Sequence, residues 1–249
     1  PTAKTTPVDF PQPANFPVPD LPADNPLTKE GIKLGRHLYY ETRLSVNNTV
    51  SCASCHQQDF NFSSPTKKGM GVNGPTPNHV MIHSNLAWQK HLLWNGAATS
   101  IEHVALMTIT DHIEMNNTWE AALAAISSDP KYVTMFEDAF GKNAITAFNA
   151  ANAIGQFVRT MVSANSKFDK WQRGEETFTA QELMGYQIFH DEHGDCFHCH
   201  GDLTTGNTFG AYGALQFSNN GLDANLTPGS GREGATGNVE DRAQFKIPS

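Results

Sequence analysis

All four cysteines of this 249-residue chain fall into two copies of one pattern, a C-x-x-C-H motif. The copies read CASCH at 52–56 and CFHCH at 196–200. Thiols at this spacing lie about one helical turn apart, so both can form thioethers with the vinyl groups of one haem, and the next histidine can bind its iron. The sequence therefore predicts two haem c groups, bound through Cys52, Cys55 and His56 and through Cys196, Cys199 and His200.

Four cysteines also allow two other kinds of structure. Two disulfides, or one tetrahedral zinc site made from both C-x-x-C pairs, are the alternatives. Neither needs a histidine directly after the second cysteine, and both copies have one, with no cysteine left over. This favours haem attachment. His198, between the cysteines of the second copy, is interpreted as a surface or packing residue.

Composition argues against two classes of partner. The formal net charge is −8, with no Lys/Arg run that could follow a phosphate backbone, so no nucleic acid partner is expected. No apolar run approaches the roughly 18 residues that cross a bilayer, so no membrane span is expected. The chain begins at Pro1 without a hydrophobic signal core. Together with haem attachment, this indicates a processed periplasmic protein whose signal peptide was removed.

Helix signals precede both motifs. A first helix is expected from about Thr28, and a Thr179-x-x-Glu182 capping box predicts another that ends near Phe189. Between them, Asp129-Pro130 marks a helix start with proline in the first turn. A stripe of apolar residues at helical spacing predicts a core-facing helix: Ile154, Phe157, Val158 and Met161.

The order of helix, haem motif and loop occurs twice. It predicts an all-α fold with two cytochrome c-like domains, each around one covalently bound haem, with long irregular loops. Residues 1–26 are Pro-rich and predict an extended arm. We assign 27–165 to the N-terminal domain and 166–249 to the C-terminal domain. Residues 57–85, rich in Gly, Pro, Asn and Ser, predict a long loop over the first haem.

Further motifs resemble the bacterial di-haem cytochrome c peroxidase family, which includes MauG-type enzymes that oxidise residues of a protein partner. In the first half they are GRHLYY at 35–40, RLS at 43–45, SCASCH at 51–56, WNG at 94–96, SIE at 100–102 and IEM at 113–115. In the second half they are CFHCHG at 196–201, NNGLD at 219–223 and FKIPS at 245–249. The likeness extends over nearly the whole chain.

The resemblance implies a cytochrome-c peroxidase, an oxidoreductase that reduces hydrogen peroxide to water with electrons from a small cytochrome c or cupredoxin. The N-terminal haem would be the peroxide site and the C-terminal haem would receive electrons. Trp94 would lie between the haems, and Glu114 would be the distal acid or base over the first iron. An interdomain calcium ion, with Asn78 as a ligand, and a homodimer are also implied.

The sequence departs from the family on the distal side of the first haem. Val104 stands where many of its peroxidases have glutamine, and WNGAA at 94–98 stands where they have WDGRA. We therefore expect a less polar distal pocket. His103 and His112 are the nearby residues that could compensate.

Two further departures concern the iron ligands. Many members close the resting first iron with a loop histidine, yet no histidine lies between His56 and Asn78. We hypothesise an open, five-coordinate first iron, with His79 and His83 as the competing ligands. The motif at 245–249 normally leads to a segment that carries the second haem's distal Met or Tyr. The sequence ends before it, so the C-terminal domain is expected to be truncated.

Two other functions compete with peroxide reduction. One is a MauG-like oxidase that uses peroxide to modify Trp or Tyr of a protein partner. The other is a di-haem electron carrier with no chemistry of its own. Glu114 and the loop without histidine argue against the carrier.

Overall fold

The computed structural model of the chain describes residue 3 and residues 5–200, 217–222 and 226–248. Three residues of the motifs above, Gly201, Asp223 and Ser249, lie outside these ranges. All the predicted haem-attaching, iron-binding, catalytic and calcium-binding residues lie within them.

The described residues form a helix-rich structure with little strand. Its α-helices are α1 Lys29–Tyr39, α2 Cys52–Cys55, α3 Ile101–Thr110, α4 Trp119–Ser127, α5 Pro130–Phe140, α6 Ala147–Arg159, α7 Lys167–Gln172, α8 Ala180–Phe189 and α9 Glu233–Thr236. Its strands are two residues each and form two antiparallel pairs: β1 Met70–Gly71 with β2 Gly74–Pro75, and β3 Phe217–Ser218 with β4 Phe245–Lys246. No described helix is both long and apolar enough to cross a membrane.

The chain divides into two compact units, and neither is continuous in sequence. Unit 1 comprises Pro1–Pro11, Leu21–Leu86 and Ser100–Val162, and unit 2 comprises Gln12–Asp20, Ala87–Thr99 and Ser163–Ser249. Each unit contains one C-x-x-C-H motif. The contiguous segments expected from the sequence differ from this division, because 12–20 and 87–99 group with unit 2.

The core of unit 1 forms where α1 packs against α5 and α6. Thr28 caps α1 by accepting the Gly31 amide, as the sequence predicts. Close packing needs glycine at Gly35, where a Cβ would lie 1.8 Å from the Ala153 carbonyl oxygen. The fully buried residues of this core include Leu34, Leu38, Tyr39, Leu44, Phe136, Ile126 and Val158.

Unit 2 is held by aromatic clusters. Trp171 stacks on Phe178 with ring centroids 4.5 Å apart, and Tyr186 lies 5.0 Å from Trp171. A second pair, Phe16 and Trp88, meets edge to face at 5.0 Å. Such pairs contribute beyond the apolar area that they bury. They anchor the irregular segments that carry them.

Several local predictions are confirmed. Asp129 caps α5 with Pro130 in its first turn, and Thr179 and Glu182 form the capping box of α8. Helix α9 and the four short strands were not predicted, because each is only two to four residues long. Segments of that length show no clear periodicity.

Candidate haem and peroxide site

The first C-x-x-C-H motif forms α2, a single turn closed by two serines. The Ser51 amide donates to Ser54 Oγ at 3.0 Å. At the other end, the His56 amide donates to the Cys52 carbonyl at 2.9 Å. This helical turn puts Cys52 and Cys55 on one face with His56 directly after them. Two thioether bonds and one axial imidazole on the same haem need this arrangement.

The second motif, in unit 2, has the same backbone turn. The His200 amide donates to the Cys196 carbonyl at 2.8 Å, and the Cys199 amide approaches that carbonyl at 3.2 Å. His198 is exposed and pairs with the Asp195 carboxylate, which agrees with its interpretation as a surface residue. The two motifs are therefore alike in conformation as well as in sequence.

Burial controls the thiol chemistry of the first motif. None of the four cysteines, all of them among the described residues, is joined in a disulfide. Burial, aided by the negative charge of Glu114, raises the pKa of Cys52 to about 12. Burial and the same carboxylate also raise the pKa of Cys55. These shifts leave both thiols of the first motif neutral near pH 7.

His56 has the tautomer and the charge that an iron ligand needs. Its Nδ1 lies 3.0 Å from the Phe62 carbonyl oxygen, so Nδ1 carries the proton and Nε2 keeps a free lone pair. Burial lowers the pKa of His56 to about 4, against smaller opposing effects of backbone carbonyls. The imidazole is therefore neutral at neutral pH. These residues fit a covalently bound haem.

His83 lies beside His56 rather than opposite to it. The two imidazoles stack with centroids 3.5 Å apart and planes 19° from parallel. A distal ligand would face His56 across the iron, so this placement disagrees with His83 as the residue that closes the first iron. The other candidate, His79, has an exposed ring whose nitrogens lie 3.2 Å from Ser63 Oγ and 3.2 Å from the Thr66 carbonyl oxygen.

Glu114 lies in the loop between α3 and α4, where its backbone is held at both ends. The Glu114 amide donates to Asp111 Oδ1 at 2.9 Å, and its carbonyl accepts the Val72 amide at 2.9 Å. Burial and then the charge of Asp111 raise the pKa of Glu114, while a hydrogen bond with the Thr108 side chain opposes the rise. The carboxyl group therefore keeps its proton to a higher pH than an exposed glutamate does.

Glycines bring the β1–β2 hairpin close to both the cysteines and Glu114. A Cβ on Gly71 would lie 2.0 Å from the Ile113 carbonyl oxygen, and one on Gly69 would lie 3.3 Å from Cys55 Sγ. Because Glu114 also raises the pKa of both thiols, its charge acts on the same pocket. The structure thus places the loop of Glu114 near the first C-x-x-C-H motif. The catalytic role expected of Glu114 stays a prediction.

Trp94 lies in unit 2, in a tight loop closed by a bridge between Leu92 and Ala98. Gly96 adopts a positive φ of 69° there, and the Trp94 carbonyl accepts the Lys246 amide at 2.7 Å. The loop is therefore fixed to β4, the strand that lies within the FKIPS motif. The role expected of Trp94 stays a prediction.

Three other predicted residues lie at exposed positions. Asn78 is exposed, and its carbonyl oxygen accepts the Thr76 hydroxyl at 2.8 Å. His103 is exposed on α3, and the His112 ring lies 3.2 Å from Asn116 Oδ1. None of these contacts points to a calcium ion or to a distal proton donor, so these assignments stay predictions.

The reasoning from sequence missed one contributor to this site, Tyr39. It is fully buried, and its hydroxyl lies 3.1 Å from His83 Nδ1 and 3.3 Å from the His56 carbonyl oxygen. The sequence did indicate that Tyr39 is buried, because it belongs to the apolar face of α1 and to the GRHLYY motif. Nothing in the sequence indicated its hydrogen-bond partners.

Comparison with known proteins places the chain in a family. A model of the di-haem cytochrome c peroxidase family matches residues 29–177. The methylamine utilization protein MauG of Methylorubrum extorquens is 32% identical over 231 residues, which cover 92% of this chain and 63% of that protein. The cytochrome c551 peroxidase of Nitrosomonas europaea is 30% identical over 241 residues, covering 95% of this chain and 70% of that protein. The chain belongs to the di-haem cytochrome c peroxidase family, as its motifs predict.

A solved structure agrees with this assignment. The structure of a MauG-like protein associated with microbial copper homeostasis is 30% identical and superposes with a TM-score of 0.85, over 97% of this chain and 75% of that one. The diheme peroxidase BthA of Burkholderia thailandensis, 16% identical with a TM-score of 0.67, shares the fold. The chain thus spans between about three-fifths and three-quarters of the length of these four proteins.

Proposed function

We propose that this chain is a di-haem c-type peroxidase that reduces hydrogen peroxide to water with electrons from a small redox protein. The observation that carries the proposal is the position of Glu114 near the first haem motif. A Cβ on Gly71 would lie 2.8 Å from Glu114 Cα, and one on nearby Gly69 would lie 3.3 Å from Cys55 Sγ. Burial also raises the pKa of the Glu114 carboxyl group. Each unit would form a cytochrome c-like domain around one haem. Periplasmic location, a bound calcium ion at Asn78 and a homodimer belong to the same proposal.

The reaction consumes one peroxide, two electrons and two protons, and yields two waters. Bound haem would supply the redox chemistry and would pass on the two electrons that the small redox protein delivers. Glu114 would accept a proton from one oxygen of peroxide and return it to the other, which leaves as water. A positioned carboxylate accelerates such a transfer by ~10²- to 10⁴-fold. His56 would hold the first iron, and Trp94 is proposed as the aromatic residue of electron transfer.

Glu114→Gln tests this mechanism. The amide is nearly isosteric but cannot accept and return the proton, so we expect two haems per chain and a fall in peroxide turnover of ~10-fold or more. Glu137→Gln is the matched control, because Glu137 is exposed on α5. Turnover is followed by oxidation of a reduced small cytochrome c. Unchanged turnover in Glu114→Gln would remove the carboxyl group from the mechanism.

A second candidate is a MauG-like oxidase that acts on Trp or Tyr of a protein partner. The 32% identity to MauG and the likeness to a MauG-like protein favour it. The substrate separates the two functions. The peroxidase is supported if peroxide drives oxidation of reduced cytochrome and no co-purified protein changes in mass. The oxidase is supported if reduced cytochrome is not oxidised and a co-purified protein changes in mass.

A further inference from the structure

The ring of His83 covers one face of His56 and has no role in the chemistry described above. The centroid separation of 3.5 Å is direct stacking contact over the ring face. His56 Nδ1 is already bonded to the Phe62 carbonyl oxygen at 3.0 Å. The His56 imidazole is thus held at one edge by a hydrogen bond and on one face by a second ring.

Tyr39 holds His83 in this position. The Tyr39 hydroxyl lies 3.1 Å from His83 Nδ1 and 3.3 Å from the His56 carbonyl oxygen. One hydroxyl has one hydrogen, so both contacts are satisfied when it donates to the carbonyl and accepts from a protonated Nδ1 of His83. Tyr39 has no exposed surface, and its ring meets Phe157 edge to face at 5.3 Å. The core of unit 1 therefore fixes the hydroxyl.

The backbone next to His83 is also anchored. Ser84 Oγ donates to Asn61 Oδ1 at 2.6 Å, and the Asn85 amide donates to the Met161 carbonyl at 2.9 Å. The first bond joins the segment to the loop after the haem motif, and the second joins it to the residues after α6. His83 is thus supported by fixed parts of unit 1.

We propose that His83, held by Tyr39, is a positioning residue that sets the plane of the His56 imidazole on the first haem. The proposal rests on haem attachment at Cys52 and Cys55, as argued under the proposed function. His56 cannot rotate about its Cβ–Cγ bond without driving its ring into one 3.5 Å away. The groups around a ligand ring control its orientation and donor strength, and so the electronic properties of the metal.

Three variants separate the stack from its anchor. His83→Leu removes both the flat ring and the hydrogen bond. Tyr39→Phe removes only the hydroxyl and keeps the buried aromatic packing. Phe60→Leu is the control, because it removes an exposed ring from the same loop. Each holoprotein is measured by haem count per chain, by EPR of the oxidised state, and by resonance Raman spectroscopy of the iron–histidine stretch after reduction.

The wild-type haem count tests the proposed function separately. Two covalent haems per chain would support haem attachment at both motifs. A smaller number would contradict the proposed function, independently of the role of His83. Given two haems, we expect His83→Leu to broaden and shift the iron–histidine stretch and to change the EPR rhombicity of the first haem. We expect Tyr39→Phe to give a smaller change in the same direction, and Phe60→Leu to match wild type.

Two outcomes overturn the positioning role. One is an iron–histidine stretch and an EPR signal in His83→Leu that both match wild type. The other is conversion of the first haem from low spin in the wild type to high spin in His83→Leu, because that change would make His83 an iron ligand. If His83→Leu loses haem during maturation, Tyr39→Phe decides the question through the same two spectra.

Discussion

Replacing Glu102 by glutamine should destabilise unit 1 more than a typical single substitution does. Glu102 lies in the first turn of α3 and Arg159 in the last turn of α6. The Arg159 nitrogens Nη2 and Nη1 approach Glu102 Oε2 at 2.7 Å and Oε1 at 2.6 Å. The two side chains are only 6% and 12% exposed. This is an ion pair largely removed from water, with one hydrogen bond from Nη2 to Oε2 and a close charge contact from Nη1 to Oε1.

The magnitude follows from what stays behind. Glu102→Gln leaves the Arg159 guanidinium buried without its carboxylate, and removing one partner of such a pair costs ~3–5 kcal/mol. Relaxation is restricted, because Glu102 Oε1 also accepts Asn25 Nδ2 at 2.6 Å and lies 2.5 Å from where a Cβ on Gly155 would be. At ~2–4 °C per kcal/mol, the midpoint of thermal unfolding should fall by roughly 6–20 °C.

Calorimetry of the holoprotein at several pH values checks both the size and the cause. Burial alone would raise the pKa of Glu102, but the bonds and charge of Arg159 outweigh it and the net pKa is lowered from 4.5. A carboxylate whose pKa is lower in the folded protein stabilises the fold fully above its unfolded pKa. That stabilisation is lost as the pH falls through the folded-state pKa. The difference between wild type and Glu102→Gln should therefore be full at pH 7 and shrink below about pH 4.5.

The control is Glu120→Gln, which removes an exposed carboxylate from the first turn of α4. Its cost should be ~0.3–1 kcal/mol, through the helix dipole alone. If Glu102→Gln and Glu120→Gln unfold within a degree or two of each other, the buried pair does not hold α3 to α6, and the reasoning is wrong.

Two further predictions concern a buried cation and a close backbone approach. Lys246 is 7% exposed, donates to Gln89 Oε1 at 3.0 Å, and has its pKa lowered by burial from 10.5 to about 8. Lys246→Met should therefore stabilise the protein by ~1–3 kcal/mol below pH 8, with a gain that fades towards pH 10.5, as calorimetry can test. Gly71→Ala should lower peroxide turnover ~10-fold or more, because the added Cβ would displace the backbone of Ile113 and Glu114. Gly185→Ala, with open space around its Cβ on α8, should instead stabilise by ~0.5–1 kcal/mol and leave turnover unchanged.

The sequence alone predicts those parts of the molecule that are encoded locally. The caps at Thr28, Asp129 and Thr179 begin helices where expected, because capping depends on neighbouring backbone amides. The C-x-x-C-H spacing likewise predicts the turn that both motifs adopt, since the helical repeat sets it. These features can be predicted from the sequence because they depend on interactions between residues close together in the chain.

Contacts between residues in irregular loops cannot be predicted from the sequence in this way. His83 stacks on His56 across a long loop without periodicity, and nothing in the sequence separates a neighbouring ring from an opposing ligand. Glu102 was noticed as part of a motif, but its partner Arg159 lies 57 positions further on in another helix. The grouping of 12–20 and 87–99 with unit 2 depends on tertiary packing too.

The described loop contacts bear on whether the first iron must be opened before it can react. Opening by a loop histidine needs a residue that can bind opposite His56 and then swing away. Residues 57–78 contain none, His79 is bonded to Ser63 and Thr66, and His83 stacks on His56 itself. The loop is also tied down, because the Val72 amide donates to the Glu114 carbonyl at 2.9 Å. The segment is therefore fixed to the backbone of Glu114 at one point and carries His83 against His56 at another. This supports the hypothesis of a permanently open first iron over one released by loop movement.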